Sequence, residues 1–263
     1  MNKTKKLRLI SALAFMLLGV IIFVCTMTVL RWDFSKLSTK ELQTNEYEIS
    51  ESFNDILIET DTADIFFAVS TDGKCKVQCY EYEKEKHTVS VQNGTLSIKL
   101  EDNRSWRDYV AVSFSSTKVK IYLPEGVQPT ITLQVSTGDV YARGITADVF
   151  SISLSTGDVE MQNVSCNQLI STGSTGDVEL TNVICNEKLT IKRSSGDVEL
   201  KGCDAGEILI KTSTGDIEGS LLSAKVFIVD TKTGDKRVPS TTSGGRCEIT
   251  TKTGDIEITI RNP

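Results

Sequence analysis

Seven Gly-Asp pairs recur through the second half of the chain: Gly138-Asp139, Gly157-Asp158, Gly176-Asp177, Gly196-Asp197, Gly215-Asp216, Gly234-Asp235 and Gly254-Asp255. The intervals are 19, 19, 20, 19, 19 and 20 residues. Such a period marks a repeat architecture, in which each unit buries its apolar residues only against its neighbours. Between the pairs the apolar residues alternate with polar ones. Ile152 and Leu154 precede one corner, and Val159, Met161 and Val164 follow it; the next units give Val178, Leu180, Val183 and then Val198, Leu200. Period two means strand, and no helical spacing intervenes. The expectation is an all-β parallel β-solenoid with about 19–20 residues and two short strands per coil. Successive coils would stack in parallel about 4.8 Å apart.

The hexapeptide around the pair is S-T-G-D-V-E at Ser155–Glu160 and Ser174–Glu179, S-S-G-D-V-E at Ser194–Glu199 and S-T-G-D-I-E at Ser213–Glu218. A corner explains all of it. Glycine supplies a backbone angle other residues reach only at a cost. Aspartate accepts from nearby backbone N–H groups in an Asx-type turn, and the preceding Thr or Ser hydroxyls bond along the stack. The rival reading is a calcium ladder on Asp158, Asp177, Asp197 and Asp216. Against it stand one aspartate per coil and a cation that wants six to eight oxygens. The glutamates that follow, Glu160, Glu179, Glu199, Glu218 and Glu257, point outward as an acidic stripe. That stripe is a solvated face or a docking strip for a cationic partner, with Lys192 and Lys211 on other faces.

Residues 46–129 look like the same architecture with its motif worn down, and residues 130–263 are the regular repeats. Thr60-Asp61-Thr62-Ala63-Asp64-Ile65 has alanine in place of the corner glycine. Val89 to Ile98 is two alternating strands around Asn93-Gly94, a hairpin signal. Val119, Ile121 and Leu123 form a strand stopped by Pro124. Two segments break the period. Glu101 to Tyr109 carries Trp106 and Tyr109, either a cap loop over the open core or a surface for a sugar or peptide. Lys236 to Arg246 puts Lys236 where valine belongs and predicts a protruding loop.

The first thirty residues differ in kind. Leu9 to Leu30 has 22 residues and no charge, about 33 Å of helix and enough to span a bilayer. Lys3, Lys5, Lys6 and Arg8 precede it, favouring a cytoplasmic N-terminus. The expected division is a basic tail (1–8), an uncleaved signal-anchor helix (9–30), a linker (31–45) and the two β regions. The chain carries 29 basic and 35 acidic residues. An acidic outer part is a poor nucleic-acid binder. Of seven cysteines, Cys25 lies in the apolar run. Cys166 and Cys185 fall at the same repeat position and should stack, with Cys203 slightly out of line. Spacing allows a buried thiol ladder or a disulfide.

No catalytic, phosphate-binding or cofactor motif appears, so no enzyme and no cofactor are expected. His87, the only histidine, is expected on a solvated charged stretch.

An N-terminal anchor, then I-x-I-x-x-x-x-A-D-I from Ile56 to Ile65, then S-T-G-D-V-E repeats, resembles the putative-adhesin family of bacterial domains, including LiaG-like proteins, over roughly residues 46–261. The resemblance implies a right-handed β-helix-like fold on the bacterial cell envelope, held in the membrane through residues 9–30, with an envelope protein or glycan as partner. It carries over no catalytic residue. A non-catalytic surface interaction module is the first expectation. A regulatory subunit of an envelope-stress response is the second, and a polysaccharide-acting enzyme the third.

Overall fold

The computed structural model describes residues 3–33, 42–105 and 116–261. The chain divides into two units, residues 1–41 with 104–115, and residues 42–103 with 116–263. In the first, Lys3–Val29 form one helix, α1. Its stretch Ile10–Val29 has a mean hydropathy of 2.6 and is long and apolar enough to cross a membrane.

The second unit is all-β. It opens with β1 (Gln43–Ile49). A first coil follows, made of β2 (Asp55–Thr62) and β3 (Asp64–Val69). A pair of strands, β4 (Cys75–Glu81) and β5 (Glu85–Gln92), then leads to the second coil, β6 (Thr95–Asp102) and β7 (Lys118–Leu123). Coils three to five are β8 (Thr130–Thr137) with β9 (Val140–Arg143), β10 (Thr146–Thr156) with β11 (Val159–Gln162), and β12 (Ser165–Thr175) with β13 (Val178–Thr181). Coil six joins β14 (Ile184–Ser195) to the first part of β15 (Val198–Lys211), and coil seven joins the rest of β15 to β16 (Ile217–Leu221). Coil eight is β17 (Lys225–Thr233) with β18 (Lys236–Arg237), and coil nine is β19 (Gly245–Thr253) with β20 (Ile256–Ile260).

In each motif-bearing coil the first strand joins one sheet, the chain turns at the Gly-Asp corner, and the second strand joins the other sheet. Like positions pair on like positions: Val140, Val159, Val178, Val198, Ile217 and Ile256 form one buried column. Ile131, Phe150, Leu169, Leu189, Ile208 and Cys247 form another across the interior. Each fully buried aliphatic side chain contributes about 1.5–3 kcal/mol, and no coil buries its own without the next.

The stack does not follow chain order, contrary to the simple expectation. Coil nine inserts between coils seven and eight: β19 pairs with both β15 and β17, and β20 with β16 and β18. At the other end coil one pairs directly with coil three, and coil two lies outside it. The reason is packing. Coil eight offers exposed Lys236 where its neighbours offer a buried aliphatic residue, so it suits the end of the stack. Coil nine, with Ile256 and Ile258 buried, takes the inner place. Coil two lacks the corner motif and likewise sits outside. Beyond it the ladder turns antiparallel: β4 runs against β7 and β1 against β4, while β5 runs against β6 through the left-handed Asn93-Gly94 turn, the expected hairpin.

Corner geometry explains the glycines. Their φ lies between 127° and 143° from Gly138 to Gly254, and the carbonyl oxygen of Gly157 fills the space a Gly176 side chain would need. The same contact repeats from Gly138 to Gly234. A second, less conspicuous corner follows the post-corner strands. Gly144, Asn163, Asn182 and Gly202 all have φ between 52° and 70°, at intervals of 19, 19 and 20 residues. Asn tolerates this conformation better than other non-glycine residues, and the Asn182 amide donates to Asn163 Oδ1 at 3.0 Å.

Gly176→Ala is expected to cost more than about 3 kcal/mol, because a methyl meets backbone and the left-handed angle is strained. Gly73→Ala, at φ 72° in open space, is expected to cost about 1 kcal/mol. Urea unfolding of the detergent-solubilised protein checks the contrast; equal losses would contradict it.

Candidate interaction surface

At each corner the aspartate bridges coils. The backbone N–H of Asp158 donates to Asp139 Oδ1 (2.9 Å), Asp177 to Asp158 (2.8 Å), Asp197 to Asp177 (2.7 Å) and Asp216 to Asp197 (2.8 Å). The ladder then passes to Asp255 (2.7 Å) and back to Asp235 (2.8 Å), following spatial rather than chain order. This corrects the Asx-turn expectation: the acceptor serves the next coil, not its own turn. Each bond is charge-assisted but exposed, so about 1 kcal/mol is the appropriate scale.

The glutamates stand on the outer face of the post-corner sheet. Glu160, Glu179, Glu199, Glu218 and Glu257 pair strand to strand in one row. Lys192 and Lys211 lie in the other sheet, and Lys211 engages Glu248 at 3.0 Å. Lys201, in the adjacent outward row, reaches across to this one and lies 2.8 Å from both Glu179 and Glu199. Hydrogen bonding to these two carboxylates holds its ammonium above the ordinary lysine range. Arg237 reaches Glu257 at 3.2 Å.

Beyond Glu160 the same row changes character. It continues through Tyr141, Phe66, Lys120, Gln78 and Glu46. Phe66 and Tyr141 stack with centroids 4.6 Å apart and planes at 8°. Lys120 Nζ lies between the rings of Phe66 (5.9 Å) and Tyr80 (5.0 Å), and Lys118 Nζ is 5.7 Å from Phe66. The Tyr141 hydroxyl donates to Asp139 Oδ2 at 3.2 Å; burial and the neighbouring carboxylate push its pKa up to about 12. The adjacent outward row runs Gln162, Arg143, Ala68, Tyr122. Small Ala68 leaves a hollow of about 420 Å³ between the aromatic pair, Tyr122 and Arg143. One signal was legible: coil three reads S-T-G-D-V-Y from Ser136 to Tyr141, with tyrosine where the next coils carry glutamate; coils one and two have no Gly-Asp pair to mark their outward positions. Trp106 and Tyr109 lie outside the described residues.

His87 departs from expectation: it is 2 % exposed. Its Nδ1 lies 2.9 Å from Glu81 Oε2, its backbone N–H donates to the same oxygen at 2.7 Å, and Nε2 meets Thr60 Oγ1 at 3.0 Å. Asn45 donates to Glu81 Oε1 at 2.6 Å. The alternation of β5 (Glu85–Gln92) turns His87 inward, onto the carboxylate of the strand before it. Cys79, Glu81 and His87 bring metal-type donor atoms within 4.8 Å of one another. Both imidazole nitrogens are already engaged, and burial with the Glu81 charge pushes the Cys79 thiol up to about 12. The arrangement suits a polar staple joining β1, β2, β4 and β5. Burial pushes the Glu81 carboxyl up, but hydrogen bonds from His87 and Asn45 outweigh it and hold it below the ordinary range.

Cys166 and Cys185 stack in register as free thiols, with their sulfurs in hydrogen-bond contact at 3.3 Å. Cys185 pairs onward with Ala205, while Cys203 joins the other sheet. Arg193, 4 % exposed, enters the interior over Gly173 and donates to Ser171 Oγ at 3.0 Å; burial lowers its pKa to about 10.

Residues 53–263 match the family described as Toastrack DUF4097. The chain belongs to this family. Its fold is similar to that of a putative adhesin from Bacteroides fragilis, with 20% identity, a TM-score of 0.55, and coverage of 85% of this chain and 98% of that one. A putative adhesin from Parabacteroides distasonis shows 13% identity and a TM-score of 0.46, over 84% of this chain and 98% of that one. No curated protein matches the chain.

Two outcomes are expected. The melting curve of the calcium-equilibrated protein stays unchanged on adding a chelator, since backbone N–H groups satisfy the ladder; a lower midpoint would restore the calcium reading. Glu81 has a depressed folded pKa, so its stabilisation is present above the unfolded value of about 4.3 and is lost as pH falls below it. Glu81→Gln should therefore cost about 1–3 kcal/mol at pH 7 and flatten the loss of stability between pH 5 and 3. An unchanged acid slope in chemical denaturation would contradict this.

Proposed function

We propose that this chain is a non-catalytic, single-pass, extracytoplasmic interaction module of the bacterial cell envelope. The observation that carries the reading is the continuous outer face of the post-corner sheet, which presents one aligned row from Arg237 through five glutamates to Tyr141, Phe66 and Lys120. A regular parallel stack makes such a row rigid, and a rigid extended face suits binding rather than chemistry. The apolar helix with basic residues before it favours a signal anchor with its N-terminus inside. The stack is read as a right-handed solenoid in which residues 46–129 form the capping region. The Gly-Asp pairs serve as corners, and no cofactor is assigned. The likeness to a putative adhesin agrees with an adhesin-like role. A LiaG-like regulatory role is the second reading, and it would give the helix a specific partner.

A photocrosslinker at Glu179, on the proposed face, is compared with one at Lys192, on the other sheet, in the full-length chain in its native cells. Capture of glycan or an external protein from Glu179 but not Lys192, unchanged when residues 9–30 are replaced by an unrelated spanning helix, is the expected result. Loss of capture on that replacement would favour the regulatory reading instead.

A further inference from the structure

The hollow over Ala68 is a recessed feature of the proposed face. It lies on strands β3, β7 and β9, each held in register by parallel pairing, so its walls are positioned by the sheet and not by a loop. About 420 Å³ falls in the range of small-ligand sites, about 300–1,000 Å³. Its floor is a half-buried alanine in a row otherwise occupied by Gln162, Arg143 and Tyr122.

Its chemistry is specific. Phe66, Tyr141 and Tyr122 present aromatic surface that packs against C–H groups but carries few hydrogen bonds. Arg143 is exposed, and no carboxylate of the described residues lies within ion-pairing distance of Arg143, Lys118 or Lys120. This is notable in a chain of net charge −6, where Lys74, Lys76, Lys99, Lys188, Lys201 and Lys225 all hold acidic partners. A planar guanidinium without a partner suits a carboxylate bidentately. Gln162 and Glu160 at the rim supply hydrogen-bonding groups for hydroxyls. A ligand with an apolar ring face, hydroxyls and one carboxylate satisfies all three sets.

We propose that the hollow over Ala68 is a binding site for a carboxylated pyranose of an acidic glycan, with Arg143 taking the carboxylate and Phe66, Tyr141 and Tyr122 the ring. The proposal rests on the reading of this face as an interaction surface and deepens it. The glutamate row begins at Glu160 on one side of the hollow and would repel a polyanion, so the glycan leaves on the other side, toward Lys118 and Lys120. A densely phosphorylated peptide is disfavoured for the same reason.

The test uses the full chain in detergent and trigalacturonate as probe, with neutral galactotriose as control, by titration calorimetry. Saturable binding of trigalacturonate at least tenfold tighter than of galactotriose is expected. Ala68→Leu, which fills the hollow from an outward position, and Arg143→Gln should each weaken binding at least tenfold, with melting temperatures unchanged. Lys192→Gln, on the other sheet, should leave binding unchanged. Failure of trigalacturonate to saturate, equal binding of galactotriose, or an Ala68→Leu variant that is folded and binds as before would overturn the assignment. So would a phosphoserine peptide binding in its place. A chain that ignores trigalacturonate yet keeps capture from Glu179 in cells removes this site and leaves the interaction-module reading standing.

Discussion

Everything in the β unit depends on how closely two coils approach at the Gly-Asp corner. The carbonyl of one glycine stands where the next glycine would carry a side chain. The carboxylate beside it takes the amide of the next aspartate. The first contact fixes the spacing and the second fills a backbone donor that the turn removes from the regular ladder. With both in place, valine falls on valine in the interior and glutamate on glutamate outside. The like-charged row is therefore tolerated rather than selected for stability, and Lys201 between Glu179 and Glu199 relieves part of its repulsion.

The period, the two strands per coil and the corner were legible in the sequence because repetition aligns chemically equivalent residues. The second corner was equally periodic, but it is held by glycine at Gly144 and Gly202 and by asparagine at Asn163 and Asn182, so no single residue type marked it. Stack order was not legible from period alone. Its cue was present at Lys236, a charged residue in a column of valine and isoleucine, but deciding that the whole coil moves outward requires knowing that coil nine is available to replace it. His87 was misread for a related reason. Its neighbours in sequence are charged, yet strand alternation sends it inward to Glu81 while Lys86 and Thr88 point to solvent.

The interaction surface was half legible. The acidic row follows from the repeat, whereas the aromatic and basic continuation comes from coils one to three, where the motif fades. Tyr141, Phe66 and Lys120 lie far apart in sequence and meet only because coil one, not coil two, stacks on coil three. The departure from chain order that makes a stable cap thus also assembles the one stretch of this face whose chemistry differs from the rest. Membership of the Toastrack DUF4097 family establishes the architecture and leaves recognition to those local residues.

Amide hydrogen exchange at the corners tests the central claim most directly. The backbone N–H groups of Asp158, Asp177, Asp197 and Asp216 sit on exposed residues, so an open loop would exchange them within seconds. If the carboxylate ladder holds the coils together, these four amides exchange as slowly as those of the following Val159, Val178, Val198 and Ile217 in chelator-containing buffer. Rapid exchange at the aspartates beside these protected neighbours would show that the corner is not bonded, and the account of the stack would fail.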